Sequence, residues 1–449
     1  MRDRKGKGGE YLTAAVQSIG SNRRGRRSGR MIEPRVRRGE RAREILAQAQ
    51  ALKADLIQVR RDLHRHPELA YQEERTARIV AQRLTELGIG VRTGVARTGV
   101  VGVLEGKEKG KVVGIRVDMD ALPIADEKEC DYKSITPGVG HLCGHDAHTA
   151  IGLGVAAILS SFRESFSGSV KFLFQPAEEH LDSACSSGAK SMIEDGALES
   201  PPLDALLGIH LWPEMPVNQI GIRSGVILTG LNLFQIQVRG KRSHTARSDL
   251  GVDAILAASH IILALQSLVS REAPPSEPIN LNIGTIRGGQ APNTLAEEVT
   301  MVGSVRASNP KVGDLLPEKM RRIIEGVAMG LQAEARLHYQ VYLPPLLNEA
   351  GVTRLVEEAA WEIFPREQVV RLDLPRLAGD DFAYMAQRVP ACYVFLGAGS
   401  ETKGIVHPSH HSRFDIDEDC LPVGVALLSI AALRFLEQKG PVGEAGDVR

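Results

Sequence analysis

At 449 residues the chain is about three times the usual single-domain length, so a large core and two domains are the expectation. Its 55 Lys and Arg balance 55 Asp and Glu, which removes any net pull toward nucleic acid or a membrane surface. The five cysteines, Cys130, Cys143, Cys185, Cys392 and Cys420, are odd in number and scattered, and no apolar export signal opens the chain; free thiols in the cytoplasm follow as the expectation.

Residues 1–43 are rich in Arg, Gly and Ser and read as a disordered basic tail, and 439–449 as a second loose tail. A helix is expected from 44 to 63 and another from 73 to 87, ended by Gly88. Short apolar runs at 100–104, 112–117, 170–174, 203–209 and 392–396 read as buried strands, with a helix at 149–160 among them, the pattern of a layered α/β domain. The middle of the chain has another rhythm: strand 231–239, helix 252–270, strands 279–286 and 298–306, helix 315–332 and strand 336–342. That order is the ferredoxin-like α+β unit, here inserted at 229–343 between the two parts of the larger domain, 44–228 and 344–438. The most apolar stretches, 255–269 and 421–435, are interrupted by His260, Gln266 or Arg434 and read as packed helices too short to span a membrane.

Chemistry-bearing residues recur just beyond the expected strands: Asp118 and Asp120 after 112–117, Glu178 and Glu179 after 170–174, and His210 after 203–209. Ligands of α/β sheets bind at the carboxyl ends of the strands, so these side chains should converge. The segment HLCGHDAHT adds His141, Cys143, His145, Asp146 and His148 before a helix, and HPSHHSRF adds His407, His410 and His411. A thiolate, imidazoles and carboxylates suit Zn²⁺, with Mn²⁺ and Co²⁺ also accommodated, and the donors suffice for two divalent ions. The pair Glu178-Glu179 lets one carboxylate ligate while its neighbour stays free to accept a proton from the attacking water. Taken singly, His64, His66, His141, His148, His407 and His411 read as structural, and Asp118 as either a rim hydrogen-bonder or a functional group.

The motifs RRDLHRHPELAYQEERTA, VDMDALPI, CGHDAHTA, FLFQPAEE, GIHLWP, GKRSHTA, GGQAPNTLAEEV and HHSRFDIDED together resemble the dinuclear metallo-aminoacylase and carboxypeptidase family, over residues 44–436. Within it they are similar to the N-acyl-amino-acid amidohydrolases, the branch of hippurate hydrolase and the plant auxin-conjugate hydrolases. The resemblance implies a metallo-exopeptidase-type catalytic domain whose inserted domain serves as lid and dimerisation surface in a homodimer or homotetramer. It places Cys143, His145, Glu179, His210 and His410 at metal-ligand positions, Cys143 standing where other branches have a bridging Asp. Glu178 falls at the general-base position, Asp120 at that of an aspartate orienting a ligand, His244 at a histidine contacting substrate or oxyanion, and Asn293 and Arg306 near the substrate carboxylate. The implied reaction is amide hydrolysis of a small N-acyl amino acid, with a metallo-carboxypeptidase or dipeptidase as the alternative. A cysteine nucleophile at Cys143 and a non-catalytic metal-binding protein are further rivals. Three loop positions depart from the family pattern, Ser248, Ala296 and Ser412, each where Pro is usual, and Asp380-Asp381 stands for Glu-Asp.

Overall fold

The computed structural model describes residues 34–180, 187–274, 277, 279–307 and 309–438; Cys185 and the two outermost tails lie outside them. In chain order the strands used below are β1 Gly90–Val95, β2 Gly99–Glu105, β3 Val112–Asp118, β4 Ser169–Gln175, β5 Ala205–Pro216, β6 Ile220–Ile222, β7 Leu231–Arg239, β8 Ile279–Gly288, β9 Glu298–Ala307, β10 Glu334–Leu343, β11 Val369–Arg371 and β12 Ala391–Gly399. The helices are α1 Pro34–Ala51, α2 Lys53–Arg65, α3 Glu74–Glu86, α4 His145–Ser161, α5 Gly188–Glu194, α6 Ala254–Ser267, α7 Pro310–Gly330, α8 Ala350–Ala360 and α9 Leu421–Glu437.

The chain forms two compact units. The first takes in the described residues up to Gly225, Leu347–Asp373 and those from Tyr384 onward, around an eight-stranded mixed sheet ordered β1-β2-β4-β3-β5-β12-β6-β11. Its centre is parallel: β3 with β4, β3 with β5, and β12 with β5. These strands are buried on both faces and read as continuous apolar runs for that reason. Helices α4 and α9 are apolar all round and lie inside the core, where Gly152 and Gly154 of α4 let Val117 and Val425 approach. The edge strand β1 shows no apolar run because it is largely exposed, which is why periodicity passes over it.

The second unit, Val226–Leu346 with Leu374–Ala383, carries a four-stranded antiparallel sheet ordered β10-β7-β9-β8, the ferredoxin-like arrangement. Residues alternate along β9, with Val299, Met301 and Val305 inward against Ala257 and Ile261 of α6 and Met320 and Ile324 of α7. Leu374–Ala383 lies beyond the 229–343 stretch read from the sequence. It is held by backbone bonds from Arg376 N to Ile227 O, Thr229 N to Arg376 O and Gly230 N to Ala378 O.

Two expectations need correction. Helix α1 begins at Pro34, inside the segment read as a disordered tail through residue 43; Ala42, Ile45 and Ala49 share one buried face, a spacing hidden among the flanking arginines. Two helical stretches, Ala254–Glu272 and Glu418–Glu437, are long and apolar enough to cross a membrane, whereas the sequence reading had them too short. Glu418–Glu437 is buried in the core of the first unit. Ala254–Glu272 buries one stripe, Ala254, Ala257, Ile261 and Leu265, in the core of the second and leaves Leu263 exposed.

Candidate metal centre

The parallel strands deliver their carboxyl ends to one edge of the sheet. Asp118 closes β3 with Asp120 just beyond it, and Glu178 and Glu179 follow β4. His210 does not follow its strand, as the sequence suggests; β5 runs on to Pro216, and His210 is held in register with Phe395 of β12. The prolines and tryptophan of HLWPEMP disguise that continuation. Gly144, at φ +96°, turns the chain into α4, so that Cys143 and His145 stand on either side of the helix start. His410 adopts φ +68° and its backbone N–H donates to Leu142 O at 2.7 Å, which ties the late histidine segment to the same loop.

These elements bring Cys143, His145, Glu178, Glu179, His210 and His410 together. The donor atoms of Cys143, His145 and His210 lie within 4.8 Å of one another, and so do those of Cys143, Glu179 and His410, and of His145, Glu178 and Glu179. Cys143 belongs to two of these sets, as a thiolate shared between two cations would. Cys143 Sγ is 3.4 Å from His210 Nε2, and His410 Nε2 is 2.9 Å from Glu179 Oε1. Each buried imidazole has its other nitrogen fixed: His210 Nδ1 donates to Leu211 O at 2.7 Å, and His145 Nδ1 lies 3.2 Å from Asp120 Oδ1. Such outer bonds set the tautomer and orientation of a metal-binding histidine. His145 Nε2 is buried without a hydrogen-bond partner, with Glu178 Oε2 3.9 Å away. A buried, unsatisfied ring nitrogen facing a thiolate and carboxylates is a donor set that fits a divalent cation.

His148 is excluded from ligation by its own bonds. Leu211 N donates to His148 Nε2 at 2.9 Å, so the ring proton sits on Nδ1 and is given to Asp118 Oδ1 at 2.6 Å. Asp118 is likewise spent, its other oxygen accepting from Arg116 Nη1 at 2.6 Å, which resolves it as a buried hydrogen-bonder. The chain Arg116–Asp118–His148 thus holds the N–H of Leu211, and the carbonyl of the same residue holds the His210 ring. Sequence spacing gives no hint of it.

The cluster is dominated by its negative donors. Burial pushes the Cys143 thiol upward, but His210, His145 and His410 outweigh it and hold the thiol well below its usual range. Burial acts to lower His145, yet Asp118, Asp120 and Cys143 raise it well above the ordinary imidazole value. Hydrogen bonds to Cys143 and then Glu179 push His410 up to about 10. Burial, then the charge on Cys143, raises Glu179. Protons and cations therefore compete for the same lone pairs here, and metal binding releases protons.

Three predicted site residues lie in the second unit. His244 and Asn293 are exposed and adjacent: His244 bridges to Thr294, Thr245 N donates to Asn293 O, and His244 Nδ1 accepts from Ala246 N at 3.1 Å. Arg306 lies near the far end of β9, eight residues from Glu298 and so roughly 26 Å along the strand. Its Nη1 donates to Gly230 O at 2.7 Å. The unit therefore does not gather His244, Asn293 and Arg306 at one point.

A protein-family model described as peptidase family M20/M25/M40 matches residues 114–434, the span that carries this cluster. The chain belongs to the M20/M25/M40 peptidase family. It is a metal-dependent hydrolase of that family, with the family's α/β catalytic domain and inserted α+β domain. It is 34% identical over 386 residues to N-acetyl-L-cysteine deacetylase of Bacillus subtilis strain 168, covering 86% of this chain and 89% of the relative. Thermostable carboxypeptidase 1 of Saccharolobus solfataricus is 35% identical over 383 residues, covering 85% and 95%. Among solved structures, the Bacillus subtilis YXEP protein, described as a dinuclear metal-binding peptidase of the M20 family, superposes with a TM-score of 0.75 at 32% identity, covering 86% of this chain and 99% of that one.

Proposed function

We propose that this M20 enzyme hydrolyses the amide bond of N-acyl-L-amino acids, with Cys143, His145, Glu179, His210 and His410 holding two divalent cations and Glu178 as general base. The observation that carries the reading is the shared donor set around Cys143, with Glu178 beside the unsatisfied His145 Nε2. When held by these residues, two divalent cations, Mn²⁺, Zn²⁺ or Co²⁺, would supply Lewis acidity to the attacking water and the acyl carbonyl. Glu178 takes the proton of the attacking water and delivers it to the leaving amine nitrogen, and Asp120 keeps the His145 ring turned so that Nε2 faces the cluster. His244 is assigned to the developing oxyanion and its neighbour Asn293 to the substrate carboxylate; Arg306, which the second unit places away from both and whose Nη1 donates to Gly230 O, is left out of that contact. The four cysteines among the described residues are free and three of them buried, which supports a cytoplasmic enzyme; the assembly is read as a homodimer or homotetramer, which light scattering measures.

Glu178→Gln tests the base assignment. Metal content should stay at the wild-type level while kcat falls by about 10²–10⁴-fold, and full activity in the variant would refute it. The similarity to a carboxypeptidase favours one second reading, peptide-bond cleavage at a carboxyl terminus. A panel of N-acetyl-L-cysteine, N-benzoylglycine and a blocked dipeptide separates the two, the first pair being preferred on the reading adopted. EDTA should abolish turnover and added Mn²⁺, Co²⁺ or Zn²⁺ restore it; a chelator-resistant enzyme would instead use Cys143 as a nucleophile.

A further inference from the structure

Residues 176–179, which present Glu178 and Glu179, form a turn that must be held in place. Ala177 has φ +52°, a left-handed conformation that side chains with a Cβ rarely adopt. Two carboxylates hold this turn from opposite ends. Asp120 Oδ2 accepts from Glu179 N and Glu73 Oε1 accepts from Ala177 N, both at 2.9 Å.

Glu73 is fully buried and lies 104 residues from Ala177 in sequence. It occupies the position just before α3, where a side chain ordinarily accepts from the helix's own first N–H groups. It makes no such bond. Glu68 takes over that task, its two oxygens accepting from Arg75 N and Thr76 N at 2.8 Å each. The Glu73 carboxyl is thereby released from its helix and crosses to the Ala177 turn. Its second oxygen is engaged by Thr98 Oγ1, from the β1–β2 turn whose Ala96 and Arg97 are also left-handed.

We propose that Glu73 is a positioning residue for the hydrolysis: by accepting the Ala177 N–H it fixes the left-handed turn that aims the Glu178 carboxyl beside His145. It touches no reacting atom. The inference rests on Glu178 acting as the base, so Glu178→Gln is measured alongside.

The test is steady-state kinetics of the metal-loaded full chain on the fastest substrate of the panel. Glu73→Ala releases the turn and lowers kcat by about 10²-fold, with KM within about twofold and metal content unchanged. Glu73→Gln keeps a carbonyl oxygen for Ala177 N and offers an N–H to Thr98 Oγ1, so kcat stays within about threefold of wild type. Adding Ala177→Gly to Glu73→Ala removes the Cβ that resists the left-handed conformation and restores kcat by about tenfold. A carboxylate that only stabilised the fold would lower kcat through the active fraction alone, so that kcat per folded, metal-loaded molecule, the folded fraction being read by circular dichroism, would stay at the wild-type value with no rescue at residue 177. Should Glu73→Ala not fold, Thr98→Val removes one of the two anchors of the carboxyl and lowers kcat by about tenfold. Unchanged kcat in Glu73→Ala, or in Thr98→Val in its place, overturns the inference if Glu178→Gln is inactive. An active Glu178→Gln overturns the reading beneath it.

Discussion

Burial, reinforced by the charge on Asp120, pushes the Glu73 carboxyl up to about 7. A folded-state value above the unfolded one of about 4.3 makes a stabilising contribution that is complete at low pH and disappears as pH rises through about 7. Glu73→Gln is uncharged at every pH and keeps the bond to Ala177 N. Thermal melts should show the variant close to wild type at pH 5 and more stable at pH 8; equal destabilisation at both would refute the burial argument. At this same scale the sequence is partly legible. Cys143, His145, Glu178 and Glu179 sit in short segments after a buried strand or before a helix; taken singly Cys143 reads as a buried apolar side chain and Glu178-Glu179 as a helix start, and only their neighbours in the motifs single them out. The roles of His148 and Glu73 cannot be, because each depends on which remote backbone amide its free atom meets, Leu211 N in one case and Ala177 N in the other.

Elements repeat the pattern. Strands β3, β4 and β12 announce themselves because burial on both faces demands unbroken apolar runs, and β7 to β10 because one face alone is buried and the residues alternate. What escapes is whatever lacks such a signal: exposed β1, the continuation of β5 past His210, and α1 among its arginines. Just after β4, and just before α5, backbone is tightly constrained where composition says little. Gly188 N donates to Ala177 O at 3.0 Å, and a Cβ at residue 188 would come 1.6 Å from Pro176 O. Gly188→Ala must therefore push the Ala177 turn away. We expect a loss of about 3 kcal/mol or more in denaturant unfolding together with reduced turnover; a variant of wild-type stability would show that the turn is slack.

For the molecule as a whole, a balanced formal charge leaves recognition to one edge of one sheet, where the first unit concentrates its buried polar groups. The donors come from segments as far apart as Cys143 and His410, and the parallel pairing of β3, β4, β5 and β12 brings together the four strands that carry or precede them. Acidification should unload the centre, since the thiolate, imidazoles and carboxylate must lose protons to bind a cation. Equilibrium dialysis against Mn²⁺ at pH 7.5 and pH 5.0, conditions on either side of the ordinary imidazole value of about 6.5, would show binding weakening at the lower pH. The most direct test is metal stoichiometry of the reconstituted chain with and without the shared thiolate. About two ions should be found per wild-type chain and fewer than about one in Cys143→Ala, because both donor sets lose the same sulfur. A wild-type chain that binds none, or a Cys143→Ala chain that still binds both, would contradict the account.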